Sequence, residues 1–447
     1  MDDQVLSAIQ QKLGDALKMP FPKMVQREAS PALLRGKAHA VIGMRRAGKT
    51  FFLYQCLADR LARGIERERL VYFNFEDERL SALAVEDLGT IIEEYYRQLP
   101  QFRQKVEVTW CLDEIQIVSG WERFVRRVLD SERVEIFLSG SSARMLSREV
   151  ATSMRGRAME TVITPFSFRE FLRGRSWPES APLRLPSSAE RSELRAHFDA
   201  YLEVGGFPEA GAFPSVRDRV GLLQGYVDTV LFRDVAERHN VSNLPALRAF
   251  VRQLLRNPAT LLSVSKIYSD FSSRGISVSK ETLLAFLAYL EDAFLVFTLP
   301  LASRSERRRQ VNPRKLYLAD PSLAGAFSPA PGLDRGRLIE NVIACELSRA
   351  SRDLAYVRTA SGLEVDFLAT DFQGHRQLIQ VAANISSPET FEREVRALTE
   401  ARQEFPDAAT LLVAETEPPR EVRAPEGIRI VPAWQWLLEG KAELLKS

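Results

Sequence analysis

Gly43-Met44-Arg45-Arg46-Ala47-Gly48-Lys49-Thr50 is the stretch on which the fold turns. It has two glycines separated by four residues and followed by Lys-Thr, with an apolar run, Ala40 to Gly43, before it and a helix-patterned segment, Lys49 to Arg63, after it. Strand, glycine-rich turn and helix in that order make a phosphate cradle: the glycines let the backbone curl so that its N–H groups, backed by the helix N-terminus, face phosphate oxygens. In such a loop Lys49 reaches the β and γ phosphates, and the Thr50 hydroxyl ligates Mg²⁺. The nucleotide contacts are assigned to Gly43, Arg46, Ala47, Gly48, Lys49, Thr50 and Phe51, with ATP and Mg²⁺ as the expected cofactors.

Downstream, apolar runs at Leu70 to Phe75, Val106 to Leu112, Val134 to Leu138 and Met159 to Ile163 alternate with helical patterns at Val85 to Gln98 and Trp121 to Ser131. That alternation predicts a parallel α/β sheet with crossover helices. The second of these runs ends in Asp113-Glu114. A strand end brings both carboxylates to the phosphate edge of the sheet, where Asp113 holds magnesium and Glu114 acts as general base, unless the pair is only a solvated turn. Together with Lys49, Glu114 is the expected catalytic residue, and Thr50 and Asp113 are the expected metal side. The third of these runs leads into Ser139-Gly140-Ser141-Ser142. Ser139 or Ser141 either senses the γ-phosphate or caps the next helix. Arg144, Arg155 and Arg157 are either surface arginines or donors to a neighbouring subunit's nucleotide.

The Arg173 to Ser192 stretch, rich in Pro, Ser and Arg, reads as a loop closing a first domain over 1–175. A helical region follows over 193–325, with amphipathic segments at Tyr226 to Arg238, Leu244 to Leu255 and Lys280 to Leu290. The Ser265 to Arg274 helix, Gly275, the Lys280 helix and the extended Phe294 to Leu301 run suggest a winged helix-turn-helix. Arg304, Arg307, Arg308, Arg309, Arg314 and Lys315 lie in or beside its wing, where they suit either DNA phosphates or a subunit contact. Pro329 to Gly336 reads as a linker into a third unit over 335–447, with a helix at Leu338 to Arg349 and strands at Val365 to Leu368, Leu378 to Ala382 and Thr410 to Ala414.

With 45% hydrophobic and 27% charged residues, the chain belongs with globular proteins rather than disordered or fibrous ones. No apolar run approaches the ~18 residues of a membrane span, and Met1 to Pro20 lacks a signal-peptide core, so a cytoplasmic protein with no membrane partner is expected. The scattered Cys56, Cys111 and Cys345 support neither a disulfide framework nor a metal site. A net charge of +2 leaves any nucleic-acid contact local.

Gly43 to Thr50, Leu112-Asp113-Glu114-Ile115-Gln116, Leu138 to Ser142, Arg155-Gly156-Arg157, Pro165 to Phe171, Gly205-Gly206-Phe207-Pro208-Glu209, Leu316 to Pro321 and Leu338-Ile339-Glu340-Asn341 together resemble the prokaryotic AAA-superfamily P-loop ATPases that carry a C-terminal domain of unknown function. The resemblance implies an ATPase core, a helical lid with a winged-helix-like middle and a C-terminal α/β domain of restriction-endonuclease-like fold. The function expected is an ATPase that couples ATP binding and hydrolysis to domain or partner rearrangement within a homo-oligomer, the partner protein itself being unnamed. A nucleotide-gated DNA-binding switch is the alternative. In an active endonuclease-like domain two acids and a lysine gather a metal ion. Glu340 and Asp366 supply acids here, whereas Gln380 and Ala382 stand where a further acid and the lysine belong, and no lysine occurs between Leu316 and Gly440. The expectation is a scaffold or binding module rather than a nuclease.

Overall fold

The computed structural model describes residues 3–32, 34–140, 154, 156–177, 187–303, 305–328, 334–416 and 425–443. It divides into two compact units, Met1–Thr164 with Asp292–Phe294, and Pro165–Glu291 with Leu295–Ser447.

The first unit is built on five parallel strands, β1 (Ala38–Ile42), β2 (Leu70–Asn74), β3 (Val108–Asp113), β4 (Val134–Ser139) and β5 (Ala158–Val162), in the order β2-β3-β4-β1-β5. Parallel pairing requires crossovers, which α2 (Lys49–Ala62), α3 (Leu88–Gln98) and α4 (Trp121–Ser131) supply, after a leading α1 (Asp3–Lys18). Both faces are covered, so β1 and β3 are buried at every position, as their near-continuous apolar sequences require. The core closes over Trp110, whose indole meets the Tyr95 ring edge-on with centroids 5.1 Å apart. The helix expected from Val85 begins at Leu88, after a single 3-10 turn over Val85–Asp87. The order of strands puts β1 and β3 on either side of β4, so the turns leaving β1 and β3 open at one edge of the sheet.

The second unit contains both the helical region and the C-terminal sheet that the sequence reading separates. Its helices Leu244–Leu255, Val264–Ser273 and Lys280–Asp292 accompany an antiparallel sheet of β6 (Thr260–Leu262), β7 (Val296–Leu299) and β8 (Arg314–Leu318), ordered β6-β8-β7. The Tyr226 to Arg238 pattern resolves differently: an α-helix over Val216–Thr229 runs into a π-helix over Val230–Glu237. The expected loop from Arg173 is interrupted by a helix over Ser188–Val204, whose capping box joins Ser187 and Glu190.

The C-terminal sheet is mixed. β9 (Asp353–Arg358), β10 (Glu364–Thr370) and β11 (Arg376–Ala382) pair antiparallel, while β11, β12 (Ala409–Ala414) and β13 (Ile428–Pro432) pair parallel. Helices Arg335–Ala350 and Pro388–Glu404 pack on it.

Several motifs outside the phosphate loop act in this packing. Asn341 is fully buried and closes a two-way bond with Leu318 of β8: the Leu318 N–H donates to Oδ1 at 2.8 Å, and Nδ2 donates to the Leu318 carbonyl at 3.1 Å. Asp320 accepts the Gly206 N–H at 2.6 Å. A Cβ at Gly205, where φ is +76°, would stand 2.0 Å from Asp320 Oδ1, so only glycine fits there. Ser167 and Glu170 form a capping box, and Arg169 of the same helix pairs with Glu346.

Candidate functional site

The phosphate loop leaves β1 at Gly43, whose φ of +145° and close approach to β5 explain the glycine: a Cβ would sit 2.0 Å from the Ile163 carbonyl oxygen. Gly48, at φ +98°, is the N-cap of α2. Arg46 also has positive φ, +65°, at the exposed crest of the loop. The buried Lys49 turns back, its ammonium donating to the carbonyls of Gly43 at 3.0 Å and Met44 at 3.1 Å, which holds the loop curled. Phe51, one residue beyond Thr50, is 49% exposed.

At the end of β3, Asp113 is 1% exposed and is held by hydroxyls from three elements. Thr50 of α2 donates to Oδ2 at 2.9 Å, Tyr72 of β2 donates to Oδ2 at 2.6 Å, and Ser139 of β4 donates to Oδ1. The first of these bonds joins the two sequence motifs directly. A hydroxyl and a carboxylate meeting at this edge form an all-oxygen donor set of the kind that suits Mg²⁺. Glu114 follows in a left-handed conformation, φ +56°, which a non-glycine residue adopts at a cost and which turns its side chain off the strand line. Its N–H donates to Ser139 Oγ at 3.0 Å, and its carboxylate accepts from Gln116. Burial holds the Glu114 carboxyl above the usual glutamate range, with nearby Lys49 pulling it down and Asp113 pushing it up.

Ser139 therefore stands between the two carboxylate residues. Ser141, Arg144 and Arg155 lie outside the described residues. Arg157 pairs with Asp130. Two supporting residues, Tyr72 and Arg27, lie outside the motifs. Tyr72 is an ordinary strand residue in sequence. Arg27 precedes the sheet, yet it donates to the Ala47 carbonyl at 2.8 Å and to Thr164, while its backbone exchanges bonds with the Gln55 side chain at 2.7 and 3.1 Å. Nothing in local spacing singles out these two, because their partners are distant in sequence.

The basic segment needs correction. Arg304 lies outside the described residues, Arg309 pairs with Asp353 at 3.3 Å, and Tyr317 is buried. Lys315 is also buried, so it cannot meet DNA: its ammonium contacts Glu364 Oε1 at 2.7 Å, Asp366 Oδ1 at 2.7 Å and Glu340 Oε1 at 2.8 Å. Burial alone would lower its pKa, but Asp366, Glu340 and Glu364 hold it above the usual lysine range. Thus a lysine does stand beside the C-terminal acids, brought by β8 from one residue ahead of the lysine-free stretch. A β-bulge between Val365 and Leu368 places Asp366 in this cluster, and Tyr317 donates to Glu340 at 2.7 Å. Gln380 instead accepts the Asp366 N–H at 3.2 Å and donates to Glu394 at 2.8 Å.

Residues 35–172 match the family model described as AAA domain, and 195–334 match a domain of unknown function, DUF8612. The chain is 31% identical over 426 residues to the uncharacterized protein MJ1544 of Methanocaldococcus jannaschii, covering 93% of this chain and 91% of that one. The chain belongs to this family of AAA-domain proteins. An uncharacterized protein of Haemophilus influenzae is 28% identical over 330 residues, 74% of this chain and 78% of its own. Among solved structures, C. elegans PCH-2 is similar over 51% of this chain and 68% of its own, at 14% identity and a TM-score of 0.29, too low to argue from. The AAA domain spans Gly43 to Thr50, Asp113 and Glu114, and domains of this class bind ATP with Mg²⁺. The C-terminal sheet lies beyond both matched segments. Among the described residues, no helix is long and apolar enough to cross a membrane.

Proposed function

We propose that the chain binds ATP with Mg²⁺ and hydrolyses it, and that the nucleotide state drives rearrangement of its helical and C-terminal parts or of a partner, within a homo-oligomer in the cytoplasm. The observation carrying this reading is the bond from Thr50 to Asp113, which brings the phosphate loop and the acidic strand end to one point. Lys49 would exchange the loop carbonyls for the β and γ phosphates, with the backbone from Gly43 to Thr50 cradling them and Arg46, Ala47 and Phe51 flanking the nucleotide. Thr50 and Asp113 would hold the metal side. A bound magnesium ion supplies neutralisation of phosphate charge. Glu114 would take a proton from the attacking water, and Ser139, bonded to the Asp113 carboxylate and the Glu114 N–H, would keep both residues in position.

In this reading the chain has an ATPase core over 1–175, a helical lid with a winged-helix-like middle over 193–325, and an endonuclease-like C-terminal domain over 335–447 used as scaffold. A nucleotide-gated DNA-binding switch is the second reading, favoured by the exposed Arg307, Arg308 and Arg314. The purified chain should bind ATP and release phosphate in a Mg²⁺-dependent way. Lys49→Ala should lose turnover by at least ~100-fold, as expected for removing the cation that meets the transferred charge. Turnover unchanged in that variant would remove the site assignment.

A further inference from the structure

Tyr72 sits in the middle of β2, paired across the parallel ladder with Cys111 of β3, two residues before Asp113. From there its phenol reaches forward to Asp113 Oδ2 at 2.6 Å. Thr50 shares the same oxygen at 2.9 Å. Ser139 holds the other oxygen from β4, on the far side of β3. The three donors thus come from three directions, and a carboxylate fixed at both oxygens cannot swing about its Cβ–Cγ bond without losing one of them. Of the three, the Thr50 hydroxyl is the one that a metal would claim as a ligand. Tyr72 remains as the fixed donor to Oδ2. The ring itself is held, packing at 4.4 Å against Tyr54, which lies one turn after Thr50 on α2.

We propose that Tyr72 is a positioning residue that orients Asp113 for the divalent cation accompanying the nucleotide. The inference rests on the ATPase reading above. A hydrogen bond to a carboxylate is among the stronger ones, so losing it should weaken cation binding on the order of 10-fold. Removing only the hydroxyl leaves the ring packing intact, so the fold should persist.

The test is Tyr72→Phe in the full chain, read by two binding measurements and one rate. ATP affinity in EDTA should equal that of the parent, since Lys49 and the loop are untouched. Mn²⁺ affinity of the protein–ATP complex, followed by electron paramagnetic resonance, should fall ~10-fold, and the Mg²⁺ concentration for half-maximal turnover should rise by a similar factor. Turnover at saturating Mg²⁺ should stay within about 3-fold of the parent, because a positioning contact can be offset by occupancy. Identical Mn²⁺ titrations of variant and parent would overturn the proposal. An equal loss of ATP affinity in EDTA would also overturn it, making Tyr72 a support of the loop. A parent protein that binds neither ATP nor Mn²⁺ would bring down the ATPase reading and this inference together.

Discussion

Two places in the molecule bring a buried lysine close to acidic residues, and they are built in opposite ways. In the first unit Lys49 donates to backbone carbonyls of its own loop, while Asp113 is held by hydroxyls from Thr50, Tyr72 and Ser139. Carbonyls at the cation and hydroxyls at the anion are neutral partners, which can be exchanged for a phosphate or a metal ion at modest cost. In the second unit the Lys315 ammonium is clasped by Glu340, Glu364 and Asp366, so its three donors are all engaged. Exchange there would strand charge in a buried setting. The identity of the residues does not distinguish a reactive arrangement from a structural one; what the charges are bonded to does.

Lys315→Met should leave three carboxylates without their cation and cost roughly 3–5 kcal/mol, the penalty typical of removing one partner from a buried ion pair. It should appear as a lower midpoint of denaturant unfolding. An unchanged midpoint would mean that the cluster is solvated enough to exchange, like the first site. A smaller effect sharpens the contrast from outside. Replacing Arg307, Arg308 and Arg309 with Ala should flatten the salt dependence of DNA binding by about 1–3 units of slope, near 0.9 per lost phosphate contact, and equally across unrelated sequences. If the triple variant binds DNA like the parent but changes its oligomeric state, the segment is a subunit contact. Lys315 should contribute nothing to this slope, since it is buried.

The first unit was largely legible in sequence because its strands β1 and β3 are buried at every position and read as apolar runs. Its loop chemistry also lies within eight consecutive residues, Gly43 to Thr50. The carboxylates were legible because β3 ends on them. Tyr72 and Arg27 were not, since their contacts depend on which strands become neighbours. The second unit was harder. β9, β13 and the helix over Pro388–Glu404 fell outside the segments assigned from pattern, and the π-helix over Val230–Glu237 continues a helical pattern with no local signal of its own. Lys315 shows the limit most clearly. It stands one residue before the lysine-free stretch, and β8 of the three-stranded sheet brings it to acids of the C-terminal sheet, 49 residues from Glu364 and 51 from Asp366.

In the proposed function the Thr50, Asp113 and Glu114 edge hydrolyses ATP rather than only binding it. The most direct measurement is ATP binding and phosphate release by Glu114→Gln beside the parent. ATP affinity should be unchanged and turnover reduced ~100-fold or more, the scale of a lost general base. Binding that falls while the rate per bound ATP stays at the parent's value would contradict it and make Glu114 a structural residue.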